Sequence, residues 1–492
     1  MAGTRSGERL GRVIPFPGTA QAAERSMSTN RLVREAKLAK LPIAYVGRRM
    51  AGRGRRMLGG SAGDIERDIQ LRTAEHIFEV LGELKGCAAK VGQMAAVYRS
   101  ILPFDAAGPE WANLAEAVGE AMGRLQDSVP PMMPALVHQV MTANFGPEWR
   151  ARFRTFDDRP AAAASLGQVH RAVWHDGREV AVKVMYPGAR DAVESDLNML
   201  RSVSGIIGAV MPGADVRAIV NTVCAIVGDE LDYRREAAHQ QVFADCYAGN
   251  AKFSVPNVVE CADEVLISDW IDGVPLGDLV DSGSPDDRSR AGLAIIEFVE
   301  SGKERCGLLY SDIHPGNFLL LPDGRMGVVD FGACADMPPN FRRIVFEIGD
   351  ALYNGTHEDL ENALRTHGFV RPGQEFDVRE FADIVAPFLD VLLRNDFDLS
   401  PEWMREQVAE IAKIRLSNVF RQMTLPPEFT VVARAAATCM GVLCQLRTEG
   451  PIREEFLTWW PELAEVIRRY EARNADLRQI RPMRAGGARP GR

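Results

Sequence analysis

The sequence predicts an α+β protein of two lobes, the second mainly helical, with a helical extension before the first. Between residues 151 and 272, short segments of alternating apolar side chains, typical of β-strands, lie on either side of helical stretches predicted at 187–210 and 216–248. From residue 273 to about residue 472 apolar side chains recur with the 3.6-residue period of helices, apart from one hairpin at 310–332. Residues 61–150 show the helical period as well and form the predicted extension.

The composition is that of a globular protein with unevenly distributed charge. Of the 492 residues, 46% are apolar and 25% charged, and the net charge is −9. This acidic balance argues against a nucleic-acid-binding function. The eight cysteines form no Cys-x-x-Cys pair, which predicts reduced thiols in a cytoplasmic setting.

The two ends of the chain are basic and are expected to be flexible. Residues 1–60 hold thirteen Lys or Arg and three Glu, and residues 473–492 are rich in Arg, Gly and Pro. The stretch Leu32–Leu58 mixes basic and apolar side chains, so it is either a helix lying on an anionic membrane or a solvated basic tail. Glu8 and Glu24 disfavour an organelle transit peptide.

The sequence predicts no secretory signal and no membrane-spanning segment. The first seventeen residues lack a long apolar run, and the best later window, Phe429–Leu446, is short and interrupted by Arg434. Any contact with a membrane is therefore expected to be peripheral.

The helical extension carries one apolar stripe with two polar side chains beside it. Apolar residues recur every three or four positions from Ile77 to Leu102. Lys90 and Gln93 lie three residues apart on one face next to this stripe. Spacing alone favours a solvated Lys and Gln over a functional site.

The first lobe begins with strands and a small-residue loop. Strands are predicted at Phe153–Phe156, at Gln168–Trp174 and at Glu179–Val184, where the last carries Lys183. The loop before the second strand consists of Ala162, Ala163, Ala164 and Ser165. This order is that of a kinase nucleotide lobe, in which Lys183 contacts the α- and β-phosphates.

The alanine loop departs from an ordinary kinase. Glycines there let backbone N–H groups approach phosphates closely, whereas alanine places a methyl group in the way. The substitution is expected to change phosphate contacts and nucleotide preference, and it argues against standard protein kinase activity.

The rest of the first lobe supplies an acidic partner and a hinge. A kinase pairs its strand lysine with an acidic residue, and Glu230 and Glu236 both fit, with Asp232 four residues before Glu236 on the same predicted helix face. Strands are predicted at 253–259 and 264–271, followed by the hinge Asp272-Gly273 beside the adenine.

Three oxygen-bearing side chains flank the predicted hairpin at Tyr310–Gly332. Asp312 and Asn317 precede its first strand and Asp330 follows its second. Magnesium prefers hard oxygen ligands, so Asn317 and Asp330 are candidate Mg²⁺ ligands. Asp312 is the candidate carboxylate near the attacking hydroxyl. The alternative is a hairpin whose Asp and Asn residues cap turns, but their order matches kinase catalytic loops.

Together these motifs resemble the UbiB family of atypical kinases, also called aarF-domain kinases, over roughly residues 64–450. Lys90–Gln93 resembles its KxGQ motif, Ala162–Ser165 its alanine-rich loop and Glu230–Asp232 its ExD motif. Lys183 and Glu236 resemble its nucleotide lysine and partner, and Asp312, Asn317 and Asp330 its catalytic and metal positions.

The resemblance implies a protein-kinase-like fold that binds ATP or ADP with Mg²⁺. It implies that Lys90, Gln93, Glu230 and Asp232 close the cleft against protein substrates. It also implies an ATPase or kinase linked to isoprenoid-quinone biosynthesis, with a lipid, a quinone precursor or quinone-biosynthesis proteins as partners. Two alternatives stay open: a small-molecule or lipid kinase, and a nucleotide-gated lipid-binding module without physiological turnover.

Overall fold

The computed structural model describes residues 131–164, 166–195, 197–198, 201, 224, 228, 231–414 and 419–484. Lys90, Gln93, Ser165 and Glu230, to which the sequence assigns functions, lie outside these residues. The chain divides into two compact units. Within the described residues, the first unit runs to Asp278 and also includes His314–Cys334, and the second contains Leu279–Ile313 and the chain from Ala335 onward.

The first unit contains an antiparallel sheet of six strands, which differ in length. Its main path runs β1-β3-β4-β7-β6, and β2 pairs with β3 beside it. Helices α1 and α2 belong to the same unit as this sheet. Helix α1 begins with Pro134, where the missing N–H costs nothing because the first N–H groups of a helix have no partner within it. The elements are α1 (Pro134–Phe145), β1 (Phe153–Phe156), β2 (Ala162–Ala164), β3 (Gly167–Trp174), β4 (Glu179–Met185), α2 (Tyr233–Cys246), β5 (Phe253–Ser254), β6 (Val258–Cys261), β7 (Val265–Asp269) and β8 (Val274–Pro275).

Strand β4 shows how the sequence sets the two faces of this sheet. Val180, Val182 and Val184 are fully buried on one face. Because successive side chains of a strand point to opposite faces, Lys183 is directed away from that core. The predicted strands at 153–156, 168–174 and 179–184 are confirmed to within one residue.

A second sheet of the first unit has the order β5-β11-β10-β8, where β10 (Phe318–Leu320) and β11 (Met326–Val328) form the predicted hairpin. The prediction of one strand over 253–259 is wrong. The strand is interrupted at Pro256, which has no N–H to donate to a neighbouring strand. The Pro256 carbonyl accepts a hydrogen bond from Gln240 Nε2 at 2.8 Å instead. The two halves consequently join different sheets.

The second unit is mainly helical, as predicted. Its helix Pro285–Cys306 is capped by Ser284 and ends at the left-handed Gly307. The elements are α3 (Leu276–Ser282), which begins in the first unit, α4 (Pro285–Cys306), β9 (Leu308–Tyr310), β12 (Cys334–Asp336), α5 (Phe341–Asn354), α6 (His357–Thr366), α7 (Val378–Leu389), β13 (Phe397–Leu399), α8 (Pro401–Ile414), α9 (Val419–Gln422), α10 (Thr430–Gln445), β14 (Thr448–Gly450), α11 (Ile452–Thr458) and α12 (Pro461–Arg484).

Two features of the second unit differ from the prediction. Strands β13 and β14 pair antiparallel within the stretch predicted to be helical, with Phe397 opposite Gly450. Helix α12 continues to Arg484, although the sequence predicts a disordered tail from 473. Arg473 explains part of this extension, because its guanidinium donates to the carbonyls of Asn354 and Tyr353, both at 2.8 Å.

One apolar helical segment in the described part of the chain, Pro427–Gln445, is long enough to cross a membrane by length and composition. Core helices of soluble proteins pass the same test, and 44% of this segment is buried within the protein. The test is therefore weak evidence for a membrane span.

Candidate functional site

Lys183 lies between two carboxylates in the first unit. Its Nζ is 2.7 and 3.0 Å from the two carboxylate oxygens of Glu236 and 3.4 Å from Asp330 Oδ2. The side chains of Lys183 and Glu236 are 18% and 4% exposed. A strand, a helix and the end of a hairpin therefore bring one cation and two anions together, with Glu236 as the partner of Lys183.

The charge of Lys183 is fixed by these neighbours. Burial alone would lower the pKa of Lys183, but the charges of Asp330 and Glu236 outweigh burial and raise this pKa well above its usual value. The ammonium also lies 5.2 Å from the ring centre of Tyr233. The site therefore presents a permanent cation, which is the group that nucleotide phosphates require.

Helix α2 holds Glu236 in its first turn. Asp232 caps this helix, and its Oδ1 accepts a hydrogen bond from Arg235 N at 3.0 Å. The prediction that Asp232 lies inside the helix with Glu236 is wrong, because the helix begins at Tyr233. In the structure Asp232 acts as a cap, and its predicted gating role stays a prediction.

The alanine-rich segment is a strand rather than a loop. Ala162, Ala163 and Ala164 form β2 and pair with the start of β3, with Ala164 opposite Gly167. At Gly167 strand β3 also lies close to β4, where a Cβ would collide with the Val184 carbonyl oxygen. The small side chains consequently form one arm of a hairpin at the end of the sheet.

The hairpin β10–β11 brings Asn317 and Asp330 to the same end. Val329 N donates to the Asn317 carbonyl at 3.0 Å, and Asp330 follows directly. Asp330 has a left-handed backbone with φ of 64°, and Phe331 packs against Phe243 of α2 at 5.0 Å between ring centres. This turn directs the carboxylate of Asp330 toward Lys183.

The donor set at this end of the hairpin fits Mg²⁺. Asp330 provides carboxylate oxygens, and its side chain is 26% exposed. Asn317 provides an amide oxygen. In the described ranges, no cluster of three or more His, Cys, Asp or Glu side chains is arranged to hold a metal ion. A partial protein ligand set is what Mg²⁺ uses when phosphate and water supply the remaining ligands.

The predicted hinge also depends on close packing. A Cβ at Gly273 would lie 2.9 Å from Leu319 Cβ and 2.9 Å from Leu321 Cδ2. Glycine therefore lets the connection at Asp272-Gly273 lie directly against strand β10. The proposed contact of this segment with adenine stays a prediction.

Asp312 belongs to the second unit and is buried, with 8% of the residue exposed. Its neighbours Ser311 and Ile313 are each 1% exposed. Within this unit, Arg434 NH2 lies 3.5 Å from Asp312 Oδ1. The catalytic carboxylate predicted from the sequence is therefore part of a buried ion pair.

Comparison with known proteins identifies the family. Residues 124–364 match the ABC1 atypical kinase-like domain. A solved structure, the complex of Rv3197 with erythromycin from Mycobacterium tuberculosis, is 35% identical with a TM-score of 0.60, over 82% of this chain and 100% of that one. The chain belongs to the UbiB/aarF (ABC1) family of atypical kinases. The predicted kinase-like α+β fold is thereby confirmed.

The curated relatives of this UbiB/aarF protein are longer than the part that matches. The mitochondrial atypical kinase coq-8 of Caenorhabditis elegans is 28% identical over 72% of this chain and 46% of its own length. The mitochondrial atypical kinase COQ8B of Danio rerio is 25% identical over 89% of this chain and 69% of its own length. The chain therefore spans 46% of the length of coq-8 and 69% of the length of COQ8B.

Sequence reasoning assigned no function to two polar side chains of strand β3. Gln168 Oε1 accepts from Met132 N at 2.8 Å, and Gln168 Nε2 lies 2.8 Å from His170 Nε2. His170 Nδ1 lies 2.8 Å from the Asp157 carbonyl oxygen, which can only accept, so Nδ1 carries the hydrogen and Nε2 accepts from Gln168. This buried series of hydrogen bonds ties β3 to Met132, just before helix α1, and to Asp157, just after β1.

Arg434 is the other residue that sequence reasoning missed. The sequence singles it out as an interruption of an apolar segment. A charged residue in an apolar helical run is itself a signal, because a buried charge requires a partner of opposite charge. The partner, Asp312, lies 122 residues away in the sequence, so the pair cannot be found from local pattern.

Proposed function

We propose that this UbiB/aarF protein binds Mg-ATP or Mg-ADP and turns over ATP, either by hydrolysis or by phosphoryl transfer to a small hydroxyl compound. The observation that supports this most directly is Lys183 held between Glu236 and Asp330. One cation fixed by one carboxylate, beside a second carboxylate that can turn to a metal ion, is the arrangement that phosphoryl transfer requires.

Each residue of the proposed site has a distinct task. Lys183 holds the α- and β-phosphates, and Glu236 keeps Lys183 in place. Asn317 and Asp330 hold Mg²⁺, which supplies positive charge to the phosphate oxygens when bound. Asp312 positions the attacking water or hydroxyl. Ala162, Ala163, Ala164 and Ser165 cover the phosphates.

The extension supplies a lid in this proposal. Lys90 and Gln93, together with Glu230 and Asp232, close the site against polypeptides and leave room for a water or a small hydroxyl. The charge pattern supports this, because a cation and two carboxylates in one closed site are costly to separate.

The proposed physiological context is isoprenoid-quinone biosynthesis or lipid handling, at the cytoplasmic face of a membrane. The names of coq-8 and COQ8B place those two relatives in mitochondria. A second candidate function is a nucleotide-gated binding module. The mycobacterial relative supports this candidate, because its structure is a complex with erythromycin. Measured ATP turnover separates the two candidates.

The test compares Mg-ATP binding in the parent and in Asp330→Asn. Asparagine tolerates the left-handed backbone at this position, so the substitution removes charge without straining the turn. A ligand at about 100 times its Kd stabilises a protein by about 2.7 kcal/mol. We expect Mg-ATP to raise the melting temperature of the parent and to have little effect on Asp330→Asn.

Asp323→Asn is the matched control, because Asp323 lies in the exposed turn at the other end of the same hairpin. It should keep the full magnesium-dependent shift. Phosphate release from ATP, with and without anionic vesicles, measures turnover in the same proteins. An equal shift in the parent and Asp330→Asn would remove Asp330 from the site, and absent turnover would favour the binding module.

A further inference from the structure

Helix α10 places a charged side chain in its buried face. Arg434 lies in line with Ala435, Thr438 and Val442, all of which are buried. The Arg434 side chain is 7% exposed. An apolar residue of similar size would fill this position without the cost of desolvating a guanidinium. The presence of arginine here therefore needs an explanation beyond packing.

The position of the guanidinium gives that explanation. Arg434 NH2 is 3.5 Å from Asp312 Oδ1, and the Asp312 side chain is 11% exposed. At the same place in the helix, Thr438 Oγ1 donates a hydrogen bond to the Arg434 carbonyl at 3.0 Å. A buried arginine on a regular helix thus presents a fixed charge to a carboxylate that lies on a loop.

We propose that Arg434 is a positioning residue for the Asp312 carboxylate. This inference rests on the proposed function, which gives Asp312 its task. A carboxylate must be held in place to orient a water or hydroxyl, because small misplacements of a catalytic group are costly. Arg434 restricts the rotation of the Asp312 side chain through the contact at 3.5 Å. The arginine acts through Asp312 and does not contact the reacting atoms.

This role predicts a split between turnover and nucleotide binding. Lys183, Glu236 and Asp330, which carry nucleotide binding in the proposed function, belong to the first unit. Arg434→Met should lower kcat for phosphate release by about 100-fold, the size of effect expected for a misplaced catalytic group. The Kd of a fluorescent ADP analogue, measured on the same preparation, should stay at the parent value, which shows that the first unit is intact.

Four further variants separate positioning from general damage. Arg434→Lys keeps a positive charge without the planar fork, so its kcat should lie between those of the parent and Arg434→Met. In Asp312→Asn, addition of Arg434→Met should cause no further loss, because residues that act as one unit are non-additive. Lys303→Met is the matched control, since it removes another buried cation of the second unit from its carboxylate, Glu300.

The outcomes distinguish this inference from the proposed function. A parent without ATP turnover overturns the proposed function and this role with it. A parent with turnover that Arg434→Met leaves intact overturns this role alone. Losses that multiply in the double variant, or an equal loss in Lys303→Met, assign Arg434 to structure and also overturn the role.

Discussion

At the scale of single residues, the Lys183 cluster carries one more negative than positive charge. Glu236 contacts Lys183 with both carboxylate oxygens, and Asp330 contacts it with one, at the longer distance of 3.4 Å. The Glu236 side chain is also the more deeply buried of the two. Glu236 is therefore the structural partner of Lys183, and Asp330 is the carboxylate that we propose as the metal ligand.

We expect Lys183→Met to destabilise the folded protein. The substitution removes the cation from a carboxylate that is 4% exposed, and breaking a buried pair in this way costs about 3–5 kcal/mol of the free energy of unfolding. Adding Glu236→Met should recover most of this loss, because the buried charge is then gone as well. Chemical denaturation of the parent, single and double variants measures both effects. An equal loss in the single and double variants would contradict this account.

Lys183, Asn317 and Asp330 could be predicted as site residues because each lies in a short local sequence pattern. A Val-Ala-Val-Lys strand and a hairpin ending in Asp-Phe-Gly can be recognised within about twenty residues. Arg434 and Asp312 could not be paired in this way, since 122 residues separate them. The sequence pattern places Asp232 inside the helix, because the spacing of apolar residues does not distinguish a capping residue from a residue of the first turn.

At the scale of secondary-structure elements, strand β3 combines a core face with a polar chain. Its buried positions Gln168 and His170 alternate in line with Ala172 and Trp174. A strand with polar residues in its core face is stable only if those groups are hydrogen bonded, and both are. These hydrogen bonds therefore tie strand β3 to Met132 and to Asp157.

The stability of this strand should depend on pH through His170. Burial lowers the pKa of His170 below its ordinary value of 6.5. Below about pH 6.5 the unfolded chain binds a proton at this imidazole that the folded chain does not. The free energy of unfolding should therefore fall as pH decreases, and this contribution should level off below the lowered folded-state pKa.

The measurement is denaturation of the parent and of His170→Gln between pH 8 and pH 5. Other titrating groups are common to both proteins, so the difference between the two curves isolates His170. We expect the parent to lose stability relative to the variant as pH falls through this range. Parallel curves would mean that the folded protein accepts the proton at His170 without cost.

Most strands of the first unit could be predicted because their apolar residues alternate, but their pairing could not. The segment 253–259 has one continuous strand pattern, and Pro256 divides it between two sheets. The short strands Phe397–Leu399 and Thr448–Gly450 were missed for a related reason, since each is stabilised by a partner about fifty residues away. Three-residue strands carry too little periodicity to be seen in a sequence.

At the scale of the whole molecule, the first 60 residues carry a net positive charge and the rest of the chain carries a net negative charge. Residues 1–60 carry a net charge of about +10, so residues 61–492 carry about −19. The basic segment lies outside the described residues, and the prediction for it rests on charge and pattern alone. Each basic residue close to an anionic membrane surface contributes about 1 kcal/mol of binding, which salt screens.

We expect the full chain to bind vesicles that contain anionic lipid, and to bind them less at high salt. Replacing five arginines by glutamine keeps the length of the segment and lowers its charge by half; these are Arg48, Arg49, Arg53, Arg55 and Arg56. This change should weaken co-sedimentation with vesicles by more than 100-fold, since about 5 kcal/mol of electrostatic attraction is removed. Vesicles of neutral lipid provide the control. If the five-fold variant and a deletion of residues 1–60 both bind like the parent, the membrane contact lies in the acidic remainder of the chain, where apolar rather than electrostatic attraction must hold it.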